Sequence, residues 1–167
     1  AMSGVFVAEP LHQVWTYAFN SVSVSGMAAI ITVLAAIPVA ILAVRYSGLV
    51  SRLLERVTYI GFALPGIVIA LALVFFAANY ATPIYQTLVV LLFAYLILFL
   101  PQAVGSTRSS LLQVNPRREE AARSLGRTAR QTILTVTLPL ARPGIMAGAA
   151  LVFLTTMKEL PATLLLS

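Results

Sequence analysis

Glu120, Ala121 and Ala122 are followed after three residues by Gly126, and nine further residues lead to Val136, Thr137, Leu138 and Pro139. These residue types offer neither a nucleophile beside a base nor a glycine-rich cradle for phosphate, so the chemistry they suggest is docking. Small side chains at Ala121 and Ala122 let a partner surface approach closely. Glu119, Glu120 and the arginines around them can supply ion pairs at the rim. A second charged pair, Lys158-Glu159, stands in an apolar stretch just before Pro161. Charges at membrane depth cost at least a few kcal/mol and tend to face a cavity or one another. Lys158, Glu159 and Pro161 therefore read as part of a pathway or gate, with a boundary pair in the headgroup region as the plainer alternative. The sequence has no Cys, no Asp and a single histidine, His12. No catalytic, cofactor-binding or metal site is expected from it.

Local signals say how the loop is built. Asn115-Pro116 reads as a helix start, with Asn as the cap and Pro at the first helical position. Glu119 and Glu120 then lie near the positive end of the helix dipole. Gly126 suits the left-handed position that ends a helix, and Thr128-Ala-Arg-Gln131 reads as a capping box opening a second one. The expectation is two short helices at an angle, joined at Gly126, the second running up to Pro139. An ordinary amphipathic helix at a membrane boundary is the bland alternative. A DNA-reading pair of helices fits loosely, but membrane spans on both sides would pin it against lipid, so no nucleic-acid partner is expected.

The flanking segments are apolar. Sixty per cent of residues are hydrophobic and 10% charged, with a mean hydropathy of +0.96, whereas soluble domains are roughly one-quarter charged. Uncharged runs over about 20–44, 57–78 and 83–104, and a less regular one over about 140–160, approach or exceed the ~20 residues that cross a bilayer core. The expected fold is all-α: a polytopic membrane bundle of about four spans forming one domain over 1–167, with a two-helix coupling loop over about 106–139. Arg45, Arg52 and Arg56 flank the first inter-span loop and seven arginines lie in or beside the long one, while residues 1–19 and 79–82 carry no Lys or Arg. The positive-inside rule then puts both basic loops in the cytoplasm and the N-terminus outside. The N-terminal segment lacks the charged start and short apolar run of a signal peptide. Pro38, Pro65 and Gly66 lie inside predicted spans, as hinges or as static kinks. Gly144 and Gly148 form a small-xxx-small pattern suited to close helix packing.

The Glu120-Ala-Ala…Gly126…Leu138-Pro139 spacing resembles the EAA loop of ABC importer permeases, which docks on the ATP-hydrolysing subunit, and the resemblance implies that Leu125, Gly126, Leu138 and Pro139 join Glu119, Glu120, Ala121 and Ala122 in coupling to it. Leu138-Pro-Leu-Ala-Arg-Pro-Gly144 and Lys158-Glu-Leu-Pro-Ala-Thr163 resemble the permeases of ferric-iron importers of the binding-protein-dependent class, and the likeness extends from about residue 20 to the end. It implies a bacterial inner-membrane protein that hydrolyses nothing itself. Its implied partners are an ABC ATPase subunit, an extracytoplasmic solute-binding protein, a second permease bundle (fused or separate) and the lipid bilayer. Permeases of that family carry two bundles in one longer chain, so the resemblance implies most of a C-terminal half, with one more helix after Ser167. The Lys-Glu-Leu-Pro segment favours iron over sulfate, molybdate, thiamine or polyamine. A non-transporting membrane scaffold is the alternative from a different class.

Overall fold

The computed structural model describes residues 11–46, 48–85 and 87–159, and among these every regular element is helical. Seven α-helices follow in order: α1 (Leu11–Arg45), α2 (Leu49–Ala63), α3 (Gly66–Tyr80), α4 (Leu88–Gln113), α5 (Pro116–Ser124), α6 (Ala129–Thr132) and α7 (Leu138–Lys158). A 3₁₀ turn at Thr82–Ile84 precedes α4, and a π turn at Ile133–Thr137 joins α6 to α7.

α4 is the centre of the bundle because both buried clusters draw on it. Ala29, Val33, Ala36 and Ala40 recur on one face of α1 and meet Ala103, Val104 and Leu111 of α4 with Ala141 and Val152 of α7. Ala70 and Ala77 of α3 meet Val90, Leu91, Ala94 and Tyr95 of α4 nearer its start. The seams are made of small residues, which is how helices pack where lipid offers no hydrophobic drive for association. α7 approaches closest. A Cβ at Gly144 would stand 2.6 Å from the carbonyl oxygen of Ser106, and one at Gly148 would stand 2.6 Å from the Ser106 hydroxyl. Ile30, Leu34, Phe75, Phe76, Phe93 and Leu154 point outward and exposed, the inverse of a water-soluble fold and the surface that lipid tails suit. Several hydroxyls within the helices are satisfied locally: Thr58, Thr155 and Thr156 each donate to the carbonyl four residues earlier, which apolar surroundings favour, while the buried Thr32 and Thr107 hydroxyls have no hydrogen-bond partner.

Among the described residues three helices are long and apolar enough to cross a membrane: Tyr17–Arg45, Leu88–Gln113 and Ala129–Lys158. The expected span over 57–78 is not one helix. α2 and α3 are bent by 102°, because Leu64 takes the extended conformation (φ −98°, ψ 134°) and Pro65 follows at φ −59°, ψ 139°. A residue before proline is driven out of the helical region. Pro65-Gly66 therefore marks a full break. Pro38 does not: α1 runs through it uninterrupted. The expected span over 83–104 is displaced toward the C-terminus. Pro83 falls in the 3₁₀ turn, and α4 opens only after Thr87, whose hydroxyl donates to the Ile84 carbonyl at 2.6 Å.

Candidate coupling loop and membrane-embedded charges

The loop forms at one end of the bundle, where α1 and α4 finish. The Asn115 Oδ1 accepts from the Arg117 amide at 3.0 Å, and Pro116 stands at the first helical position of α5. At the far end the Gly126 amide donates to the Arg123 carbonyl (3.0 Å) and the Arg127 amide to the Ala122 carbonyl (3.2 Å), the paired bonds of a Schellman cap. Gly126 has φ +84°, so a side chain there would be strained. Thr128 and Gln131 form the reciprocal capping box: the Thr128 amide donates to Gln131 Oε1 at 2.9 Å, and the Gln131 amide to Thr128 Oγ1 at 3.3 Å.

The second helix does not end at Pro139. It continues through the π turn, where the Leu138 amide donates to the Ile133 carbonyl five residues back, and runs as one apolar element from Ala129 to Lys158. The wider turn loosens the backbone just ahead of the Pro139 ring, a common setting for π turns at functional positions. The loop's first boundary also shifts, since α4 remains helical to Gln113 and 106–113 belongs to the span. What projects from the bundle is α5, the Gly126 turn and α6.

The residues expected to meet a partner divide into two groups. Glu120 and Ala121 are exposed, Leu125 is 85% exposed, and Pro139 is exposed at the start of α7. Ala122 is buried and Leu138 half-buried. Glu119 turns inward: its Oε1 accepts from Arg45 Nε at 3.0 Å and from the Thr137 hydroxyl at 2.9 Å. Arg45 reaches on to the Val114 carbonyl at 3.0 Å and the Leu111 carbonyl at 3.4 Å. Two adjacent glutamates that look alike in sequence thus differ: Glu119 is half-buried and ion-paired, Glu120 exposed. A cleft of about 200 Å³ opens beside this pair, lined also by Ile41, Tyr46, Arg123 and Ile133. Arg108 forms an ion pair with Glu55 at 3.3 Å, tying α2 to α4.

Lys158 and Glu159 lie at the end of α7, beside the middle of α4. The Thr155 hydroxyl, one turn earlier, lies 3.3 Å from Gln102 Oε1. Glu159 lies beside Gly66, which also neighbours Leu98. Leu98 is ten residues into α4, about 15 Å along its axis. The carboxylate is half-buried at the break of the bent pair, while Lys158 is exposed. Pro161 lies outside the described residues. Among the described residues no three His, Cys, Asp or Glu side chains gather as a metal site.

Over residues 32–167 the sequence matches the family described as the binding-protein-dependent transport system inner membrane component. It is 45% identical over 148 residues to the Fe(3+)-transport system permease protein FbpB 2 of Haemophilus influenzae, covering 89% of this chain and 29% of that protein. The molybdate/tungstate transport system permease protein WtpB of Pyrococcus abyssi is 25% identical over 148 residues, which is 89% of this chain and 58% of that one. The chain thus spans less than a third of the first relative and under three-fifths of the second. In fold it resembles the inward-facing MetNI methionine ABC transporter, with a TM-score of 0.73 and 18% identity, covering 90% of this chain and 73% of that one.

Proposed function

The chain belongs to the inner membrane component family of binding-protein-dependent transport systems, and from that premise we propose that it is a permease subunit of an ATP-driven importer of ferric iron. The exposed face formed by Glu120, Ala121 and Leu125 docks on the ATPase subunit. An extracytoplasmic binding protein delivers the cargo to the opposite end of the bundle, and a second permease bundle completes the pathway. ATP hydrolysis takes place in the separate subunit.

The cargo reading rests on the 45% identity to a permease named for Fe(3+) transport. The 25% match to a molybdate/tungstate permease over an equal length makes an oxyanion the second reading. Among the described residues the carboxylates of Glu55, Glu119 and Glu159 stand in three separate places, and one carboxylate cannot replace the hydration shell of Fe³⁺. Selectivity then lies with the binding protein. The basic ends of α1 and α2 and the arginine-rich loop face the cytoplasm, with the N-terminus outside.

The test uses the absence of native cysteine. Ala122 is too buried to label, so the probe is Ala121→Cys, paired with a cysteine in the cleft of the co-expressed ATPase subunit. Arg52→Cys, exposed at the start of α2, is the control. An ATP-sensitive crosslink at Ala121 alone is expected. Crosslinking equally at both positions, or at neither, overturns the docking assignment. Uptake of radiolabelled Fe³⁺ against molybdate, with the cognate binding protein, decides the cargo.

A further inference from the structure

Glu119 is placed where the loop, two spans and the entry to a third meet. Its Oε1 takes hydrogen bonds from Arg45, the last residue of α1, and from Thr137, the last residue of the π turn. The guanidinium of Arg45 simultaneously holds the carbonyls of Leu111 and Val114 at the end of α4. The two side chains are only 16% and 18% exposed, so water competes weakly for these bonds, and bonds to a charged partner are the stronger kind. The covalent chain does not make these connections. Arg45 lies 74 residues from Glu119, and α5 is tethered only at its ends, through Val114-Asn115 and through the Gly126 turn. Without the carboxylate, only those tethers and the packing of the buried Ala122 hold α5 to the rest of the bundle.

We propose, on the reading that this loop docks on an ATPase, that Glu119 is the positioning residue that passes displacement of α5 to α1 and α7 together. Glu120, its neighbour, faces outward to the partner. Glu119 is mostly buried, with its Oε1 engaged by Arg45 and Thr137. Thr137 makes the link to α7 specific: it closes a turn that carries one more residue than an α-turn, and such a turn can change its hydrogen-bond register without unfolding the helix. The carboxylate holds that turn in its present register while α5 is in place.

The experiment compares Glu119→Gln, Thr137→Val and the exchange Arg45→Glu/Glu119→Arg in the assembled importer, reconstituted in vesicles with its binding protein. ATP hydrolysed and radiolabelled Fe³⁺ taken up are measured in the same vesicles, alongside the Ala121→Cys crosslink. The expected result for Glu119→Gln is an intact crosslink and continuing hydrolysis, with uptake per ATP reduced about tenfold or more. Thr137→Val, which removes one bond and no charge, reduces the same ratio by a smaller factor. The exchange recovers part of the loss. An unchanged ratio in Glu119→Gln overturns the proposal, as does loss of the crosslink in step with hydrolysis, which would make Glu119 a docking residue. If the wild-type loop gives no crosslink, the docking assignment itself fails, a result separable from either.

Discussion

The carboxylate of Glu159 lies against the backbone of Gly66: its Oε1 is 3.0 Å from the point that a Cβ on that glycine would occupy. The end of α7 and the start of α3 therefore meet at the break of the bent pair, and no side chain fits between them unless the carboxylate moves. Gly66→Ala should fold, because the obstructing atom is the far end of a flexible side chain. Gly66→Val should displace Glu159 and reduce uptake at least fivefold while the ATPase subunit still co-purifies. Equal uptake by wild type and Gly66→Val would show that the contact is incidental.

Glu159→Gln keeps the shape of the side chain and removes its charge. If the carboxylate gates the pathway, transport falls and binding of the ATPase subunit does not. Transport at the wild-type rate in the complete importer would remove Glu159 from the gate.

Gly144 and Gly26 make a matched pair. An added Cβ at Gly144 meets the Ser106 carbonyl, which is backbone and cannot yield cheaply, and at Gly26 it meets nothing within 4 Å. Gly144→Ala should destabilise the bundle by about 1–3 kcal/mol, as overpacking does. Gly26→Ala, inside α1, should be neutral or stabilising by up to about 1 kcal/mol. Thermal unfolding of the two variants in the same detergent checks the contrast, and equal melting temperatures would contradict it.

Gly126→Ala forces an L side chain to φ +84°, a conformation that costs about 1–2 kcal/mol. The strain falls on the turn between α5 and α6, away from the buried core. Melting should fall by only a few degrees, while the Ala121→Cys crosslink to the ATPase subunit weakens. Gly126→Asn should do less harm, since Asn tolerates the left-handed region.

Leu125 is 85% exposed and contributes little to the fold of its own chain. Burying a leucine in a partner's cleft is worth roughly 1.5–3 kcal/mol, so Leu125→Ser should weaken ATPase-subunit binding by about tenfold or more at unchanged melting temperature. A titration with the isolated subunit distinguishes this from a structural defect.

The cap at Asn115, the Gly126 turn and the Thr128–Gln131 box were all legible in the sequence, because each is decided by residues within a few positions of one another. Long-range geometry was not. Apolar composition over 57–78 announces burial in lipid but carries no direction, so a break of 102° at Pro65 looks the same as a mild kink. The orientation of Glu119 depends on Arg45, 74 residues away; adjacent glutamates on one helix carry no mark of which faces inward. The depth of Glu159 is set by how far α7 slides along α4 through its glycine seam, a quantity that no local pattern encodes.

Because α6, the π turn and α7 form one 30-residue helix, the loop and the charged end of the bundle share a single lever. At 1.5 Å per residue the arm is about 45 Å long, so a rotation of about 5° at the Thr128 end would sweep the other end through roughly 4 Å. That exceeds the 3.0 Å separating Glu159 from the Cβ position at Gly66. With such gearing, a small tilt of the loop and a displacement at the broken span would be two ends of one motion while the π turn keeps its present register.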